Sequence, residues 1–122
     1  MKKGEDILKN KSFHFAVRMV RMYKHLIEKK KEFVCSKQCL RSGTAVGALV
    51  NEAAYAQSKA DFISKLSIAL KEANETKYWL LLLKETDYLE ADLFESVSAD
   101  CEELIKILAA SIITAKNTLN KK

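Results

Sequence analysis

Proline is absent from these 122 residues, and glycine occurs only three times. A sheet of many short strands needs more turn residues than that, and collagen-like, proline-rich and disordered classes are excluded as well. Long apolar runs are also missing. The longest uncharged run near the middle, Tyr78 to Leu83, falls far short of the ~18 residues of a membrane span. The N-terminus, Met1-Lys2-Lys3-Gly4-Glu5-Asp6, contains no apolar signal-peptide core, so a cytoplasmic protein with no membrane partner is expected. Cysteine is scarce and odd in number: Cys35, Cys39 and Cys101 cannot all pair within one chain, and reduced thiols follow.

What is present is 48% apolar and 30% charged residues. That composition over this length reads as one all-α domain covering residues 1–122. Apolar spacing places helices at about 10–32, 37–56, 58–85 and 89–116. Short connections between long helices imply an antiparallel up-and-down four-helix bundle.

The first helix, with Ser12 at its cap or in its first turn, carries two apolar stripes. Phe13, Ala16, Val17, Val20, Tyr23 and Ile27 form one, and Phe15, Met19, Met22 and Leu26 the other. Between them lies a polar wedge of His14, Arg18, Arg21, His25, Glu28, Lys29 and Glu32. One core needs one stripe. A lone bundle would leave the second, Phe15, Met19, Met22 and Leu26, in water, so it is assigned to an oligomer interface. The second helix is rich in small residues, and Gly43, Gly47 and Ala54 on one side allow a neighbour to approach closely. In the third helix, Ser58 and Asp61 form a capping-box-like start, and Phe62, Leu66, Ala69, Leu70, Ala73, Leu80 and Leu83 form the core stripe. Its Tyr78 to Leu83 segment is apolar all round, which adds Trp79 and Leu82 to the expected interface. The fourth helix opens after the cap residues Thr86 and Asp87. Its stripe runs Leu89, Leu93, Val97, Leu104, Ile107, Leu108 and Ile112, with one gap of seven, and Asn117 to Lys122 are expected to fray.

Charge is uneven. Residues 1–50 hold 12 Lys plus Arg against 4 Asp plus Glu, whereas the remainder holds 9 against 12. Asp87 to Glu103 contains seven acidic residues and no basic one. A stripe of Arg18, Arg21 and Lys29, extended by Lys30, Lys31, Lys37 and Arg41, is placed to track phosphates without base readout. The competing use of the same charge is assembly, with the basic surface of one subunit meeting the acidic segment of the next. Enzyme chemistry finds no footing: no Glu-x-x-His pairing of di-iron type occurs, and Glu52, Glu72 and Glu75 read as salt-bridge partners of Arg41, Lys59 or Lys77. Cys35, Cys39, His14 and His25 do not form a recognised zinc spacing, and the cysteines read as small hydrophobes. Ser42-Gly43-Thr44-Ala45-Val46-Gly47 lacks the spacing and lysine of a phosphate-binding loop. No cofactor and no metal are expected.

Two segments carry a family likeness. Leu40-Arg41-Ser42-Gly43-Thr44-Ala45-Val46-Gly47-Ala48-Leu49-Val50-Asn51-Glu52-Ala53 is one; the other runs from Ala56-Gln57-Ser58-Lys59-Ala60-Asp61-Phe62 through Lys65-Leu66-Ser67-Ile68-Ala69-Leu70 to Tyr78-Trp79-Leu80. They resemble the four-helix-bundle family named for proteins encoded in intervening sequences of 23S ribosomal RNA. The chain departs from the family at Ala45, where Ser is usual, and at Leu49, where Asn is usual. The resemblance implies a bundle that associates as a ring, with a homopentamer favoured. A related branch, the accessory protein of diversity-generating retroelements, is a basic pentameric barrel that binds nucleic acid and partners a reverse transcriptase. A non-enzymatic ring is therefore expected, with RNA or DNA and a reverse transcriptase as candidate partners.

Overall fold

The computed structural model describes residues 3–120, which form four helices and no strand: α1 (Lys3–Glu28), α2 (Cys35–Ala53), α3 (Lys59–Glu85) and α4 (Ala91–Asn120). Successive helices run antiparallel. Met19 and Ser12 of α1 lie against Gly43 and Gly47 of α2, Glu52 of α2 reaches Lys65 of α3, and Lys77 of α3 pairs with Glu102 of α4. Among the described residues the backbones come close between α1 and α2, α2 and α3, α3 and α4, and α1 and α4, so the helices occupy the corners of a square. One end carries the α1–α2 and α3–α4 connections; the other carries the α2–α3 turn. No helix is long and apolar enough to cross a membrane among these residues.

The helix ends differ from the sequence reading in ways that local hydrogen bonding explains. α1 starts at Lys3, well before Asn10, and Ser12 is buried inside it, its hydroxyl donating to the Lys9 carbonyl at 3.2 Å. α1 stops at Glu28 because Lys31 turns left-handed, at φ 56°, and the Glu32 N–H folds back to the Leu26 carbonyl at 3.1 Å. Thr86 and Asp87 close α3; they do not open α4. Asp87 sits at φ 69°, the Tyr88 N–H donates to Leu83 O at 2.9 Å, and the Asp87 N–H donates to Lys84 O at 3.1 Å, the paired bonds of a Schellman motif. The start of α3 is as its sequence suggests. Ser58 accepts from the Asp61 N–H at 3.0 Å while Asp61 accepts from the Gln57 N–H at 3.3 Å. At the far end α4 stays helical through Asn120, and the rest of the segment expected to fray, Lys121 and Lys122, lies outside the described residues.

The core reverses the assignment made for α1. Phe15, Met19, Met22 and Leu26 are 2%, 0%, 5% and 0% exposed within their own chain, so they form its core stripe and none of them is a subunit surface. Hydrophobicity does not distinguish the two stripes; shape does. A Cβ added to Gly43 would stand 2.5 Å from Met19 Cγ, and one added to Gly47 would stand 3.1 Å from the Ser12 carbonyl oxygen. The two glycines thus make a trough on α2 into which the unbranched Met19 and the α1 backbone settle. Ala54, expected beside them, is exposed past the end of α2, and Ala53 is buried in its place. On α4 the seven-residue gap in the stripe is filled by fully buried Cys101, which bonds to the Ala73 carbonyl of α3 at 3.3 Å.

The stripe that stays outside is the other one. Phe13 and Val20 are 65% and 42% exposed, with Ala16, Val17, Tyr23 and Ile27 half-buried beside them. At the diagonal corner, on α3, Tyr78 and Leu81 are also exposed, so Tyr78 to Leu83 is not enclosed all round.

Candidate nucleic-acid interface

Seven cations stand out in the sequence, and the fold divides them. Arg18 turns inward along the α1–α4 seam, its Nη1 donating to Asp100 Oδ2 at 2.7 Å, and Lys11 makes a second seam contact with Glu103 at 3.2 Å. Arg41 reaches across from α2 to Glu72 at 3.3 Å and to Glu75 on α3, and the Trp79 indole N–H donates to the same Glu75 at 2.9 Å. These contacts hold the Glu75 carboxyl below its ordinary range, with the Trp79 N–H the foremost cause and Arg41 next. Both arginines therefore serve the bundle. Trp79, expected as an interface anchor, is half-buried and tied to its own chain, and Leu82 is half-buried beside it.

The other five, Arg21, Lys29, Lys30, Lys31 and Lys37, are spread along the last turns of α1, the connection and the first turn of α2. Arg21 is exposed on the last turns of α1, Lys29 and Lys30 lie in the connection, and Lys37 is exposed in the first turn of α2; none is in an ion pair among the described residues. Lys24 and Lys31 are equally free of ion pairs there. Phe33 and Val34 stand exposed in the connection, at 58% and 72%.

Glu32 holds this connection in shape, although its place in the sequence suggested only a polar helix face. It is buried, and its carboxylate accepts from the N–H groups of Val34, Cys35 and Ser36 at 3.1, 3.0 and 2.6 Å, while the Ser36 hydroxyl donates back to the Glu32 carbonyl at 2.7 Å. Val34, the residue before α2, offers no side-chain cap. Glu32 supplies it, placing a negative charge on the positive end of the helix. Burial pushes its carboxyl up, but the three backbone donors outweigh that and bring it below the usual carboxylate range. The signal was the glutamate three residues ahead of Cys35, obscured by the run of Lys before it.

Histidine and cysteine do not converge. His14 and His25 are exposed on α1, whereas Cys39 and Cys101 are fully buried and burial pushes both thiols up to about 12. Among the described residues no group of three or more His, Cys, Asp or Glu is arranged to hold a metal ion. Beneath Arg41, a buried hydroxyl pair links α2 to α3: Thr76 donates to Ser42 at 2.8 Å.

The family described as 23S rRNA-intervening sequence protein matches residues 5–110 of the chain. Among solved structures, a crystal structure at 1.70 Å of a protein of unknown function from the S23 ribosomal protein family of Bacteroides thetaiotaomicron VPI-5482 is similar, at 54% identity. The alignment covers 89% of this chain and 97% of that one, with a TM-score of 0.88. No curated protein matches.

Proposed function

We propose that this chain, which belongs to the family of 23S rRNA-intervening sequence proteins, is a non-enzymatic subunit of a homo-oligomeric ring, a homopentamer by its resemblance, that binds RNA or DNA through phosphates. The observation that carries the reading is the run of exposed or half-exposed cations without ion pairs among the described residues, Arg21, Lys29, Lys30 and Lys37, from the last turns of α1 to the start of α2, on a chain of net charge +5. Arg18 and Arg41 drop out of the binding surface because carboxylates already neutralise them. A ring repeats the run once per subunit, so weak phosphate contacts add through avidity. Such a ring acts as a cytoplasmic partner of a nucleic-acid enzyme, and a reverse transcriptase is the candidate that the resemblance supplies.

Fluorescence anisotropy with a labelled RNA and a labelled DNA of mixed sequence tests this reading. Binding should weaken steeply from low to physiological salt, and Arg21→Glu with Lys30→Glu and Lys37→Glu should abolish it while the helical circular dichroism stays unchanged. No binding at low salt contradicts it.

A second reading has its own support. Exposed Asp87, Glu90, Asp92 and Glu95 lie at the same end of the bundle as the basic run, near exposed Tyr78 and Leu81. Opposite charges at one level on different sides suit head-to-tail packing with bundle axes parallel, a ring-closing geometry. In that case the triple charge reversal lowers the solution mass, and nucleic acid is irrelevant.

A further inference from the structure

The second end of the bundle is open. α1 and α4 share the smallest contact of any neighbouring pair, and their seam is held by Lys11–Glu103 and Arg18–Asp100. Beyond Lys11 the two helices part. Between them is a groove of about 620 Å³, walled by Gly4, Glu5 and Ile7 of α1 and by Ile107 to Thr118 of α4. Its floor is Ala53, Ala54 and Phe62, and a small hollow beneath it reaches the core residues Leu8, Val50 and Leu66.

Three features bear on what fits there. The volume falls within the range of small-molecule sites, about 300–1,000 Å³. The lining is mostly apolar: Ile7 is 40% exposed, Phe62 and Ile107 are half-buried, and Ala110 presents only a methyl group. One cation stands at the mouth. Lys59 Nζ lies 5.8 Å from the centre of the Phe62 ring and is in no ion pair among the described residues. Its ammonium thus sits where an apolar floor meets solvent, and Ser58, Ser111, Thr114 and Thr118 also line the groove. Glu5, on the α1 wall, disfavours a negative charge on that side and leaves the Lys59 side to it.

We propose that this groove binds a single-chain amphiphile, its aliphatic tail along Phe62, Ile107 and Ala110 and its anionic head on Lys59. The tail covers apolar surface that Ile7 and Phe62 leave open, and the head meets Lys59, the cation among the residues that line the groove.

Isothermal titration of the full-length protein with dodecanoate, below its micelle concentration, tests this. Binding with one site per chain and a raised melting temperature is expected, with dodecyltrimethylammonium binding at least tenfold more weakly. Lys59→Glu should weaken dodecanoate about tenfold. Ala110→Trp, at a solvent-exposed helical position, should remove binding with its helical circular dichroism intact. Absence of dodecanoate binding to the unaltered protein overturns the proposal. So does equal affinity for the cationic amphiphile, or binding that survives Ala110→Trp. If Ala110→Trp instead lowers the solution mass, a second copy occupies the groove and the proposal fails; the nucleic-acid reading is judged separately by anisotropy.

Discussion

Glu32 shows how much structural weight a single side chain bears in this molecule. Three backbone donors and a helix N-terminus converge on one buried carboxylate, and the connection between α1 and α2 is built around it. Glu32→Gln keeps one acceptor oxygen and loses the charge, so it should lower the unfolding free energy by about 1–2 kcal/mol at neutral pH, read by urea denaturation. The pH dependence has a definite sign. The folded carboxyl titrates below its unfolded value, so its stabilisation is complete above the unfolded pKa and is lost as pH falls through the folded one. The unaltered protein should therefore lose more stability on acidification than Glu32→Gln does, and the gap between them should narrow. Gly43 is the other sensitive position. An added methyl at 2.5 Å from Met19 Cγ forces that side chain to move, so Gly43→Ala should cost about 1–2 kcal/mol despite the ~1 kcal/mol that alanine gains in helix propensity.

At the level of the helices, sequence periodicity was a good guide to existence and a poor one to orientation. Four helices are legible from the spacing of Leu66, Ala69, Ala73 and Leu80, or of Val97, Leu104 and Leu108, since each pattern has one apolar face. α1 has two, and only the trough at Gly43 and Gly47 decides between them, through contacts with Met19 and Ser12 that lie 24 and 35 residues away in sequence. The same blindness affected the helix ends. Ser58 is marked as a start by Asp61 three residues on, whereas Asp87, an equally good cap residue, ends a helix through a left-handed turn. The reversed α1 makes a specific expectation. Met19→Ala should cost about 2–5 kcal/mol in unfolding free energy, as a core cavity does. Phe13→Asp with Val20→Asp should leave the helical circular dichroism intact and reduce the solution mass, because those side chains serve a surface and not the core.

For the whole molecule, charge is the property with the widest reach. The sequence showed an excess of cations early and of anions late, and it overstated how many cations were free. Arg18, Lys11 and Arg41 are spent within the fold, since antiparallel packing sets α1 beside α4 and α2 beside α3. The pairing of Arg41 with Glu72 and Glu75 was legible in the sequence, whereas Arg18 with Asp100 and Lys11 with Glu103 meet only through the packing of α1 on α4, which a linear pattern does not carry. The remaining run of cations predicts a salt slope. Loss of Arg21, Lys30 and Lys37 should flatten the dependence of log affinity on log salt by roughly 0.7–0.9 for each phosphate contact removed, measured by anisotropy on RNA and on DNA.

Both readings of function need a partner for the outward stripe of Phe13 and Val20, and the first partner to look for is a second copy of the chain. Light scattering on the purified protein at micromolar concentration tests that most directly. The account predicts a mass of at least twice 13.8 kDa, fivefold for the homopentamer. A mass of 13.8 kDa, with Phe13 and Val20 left in water, would contradict it.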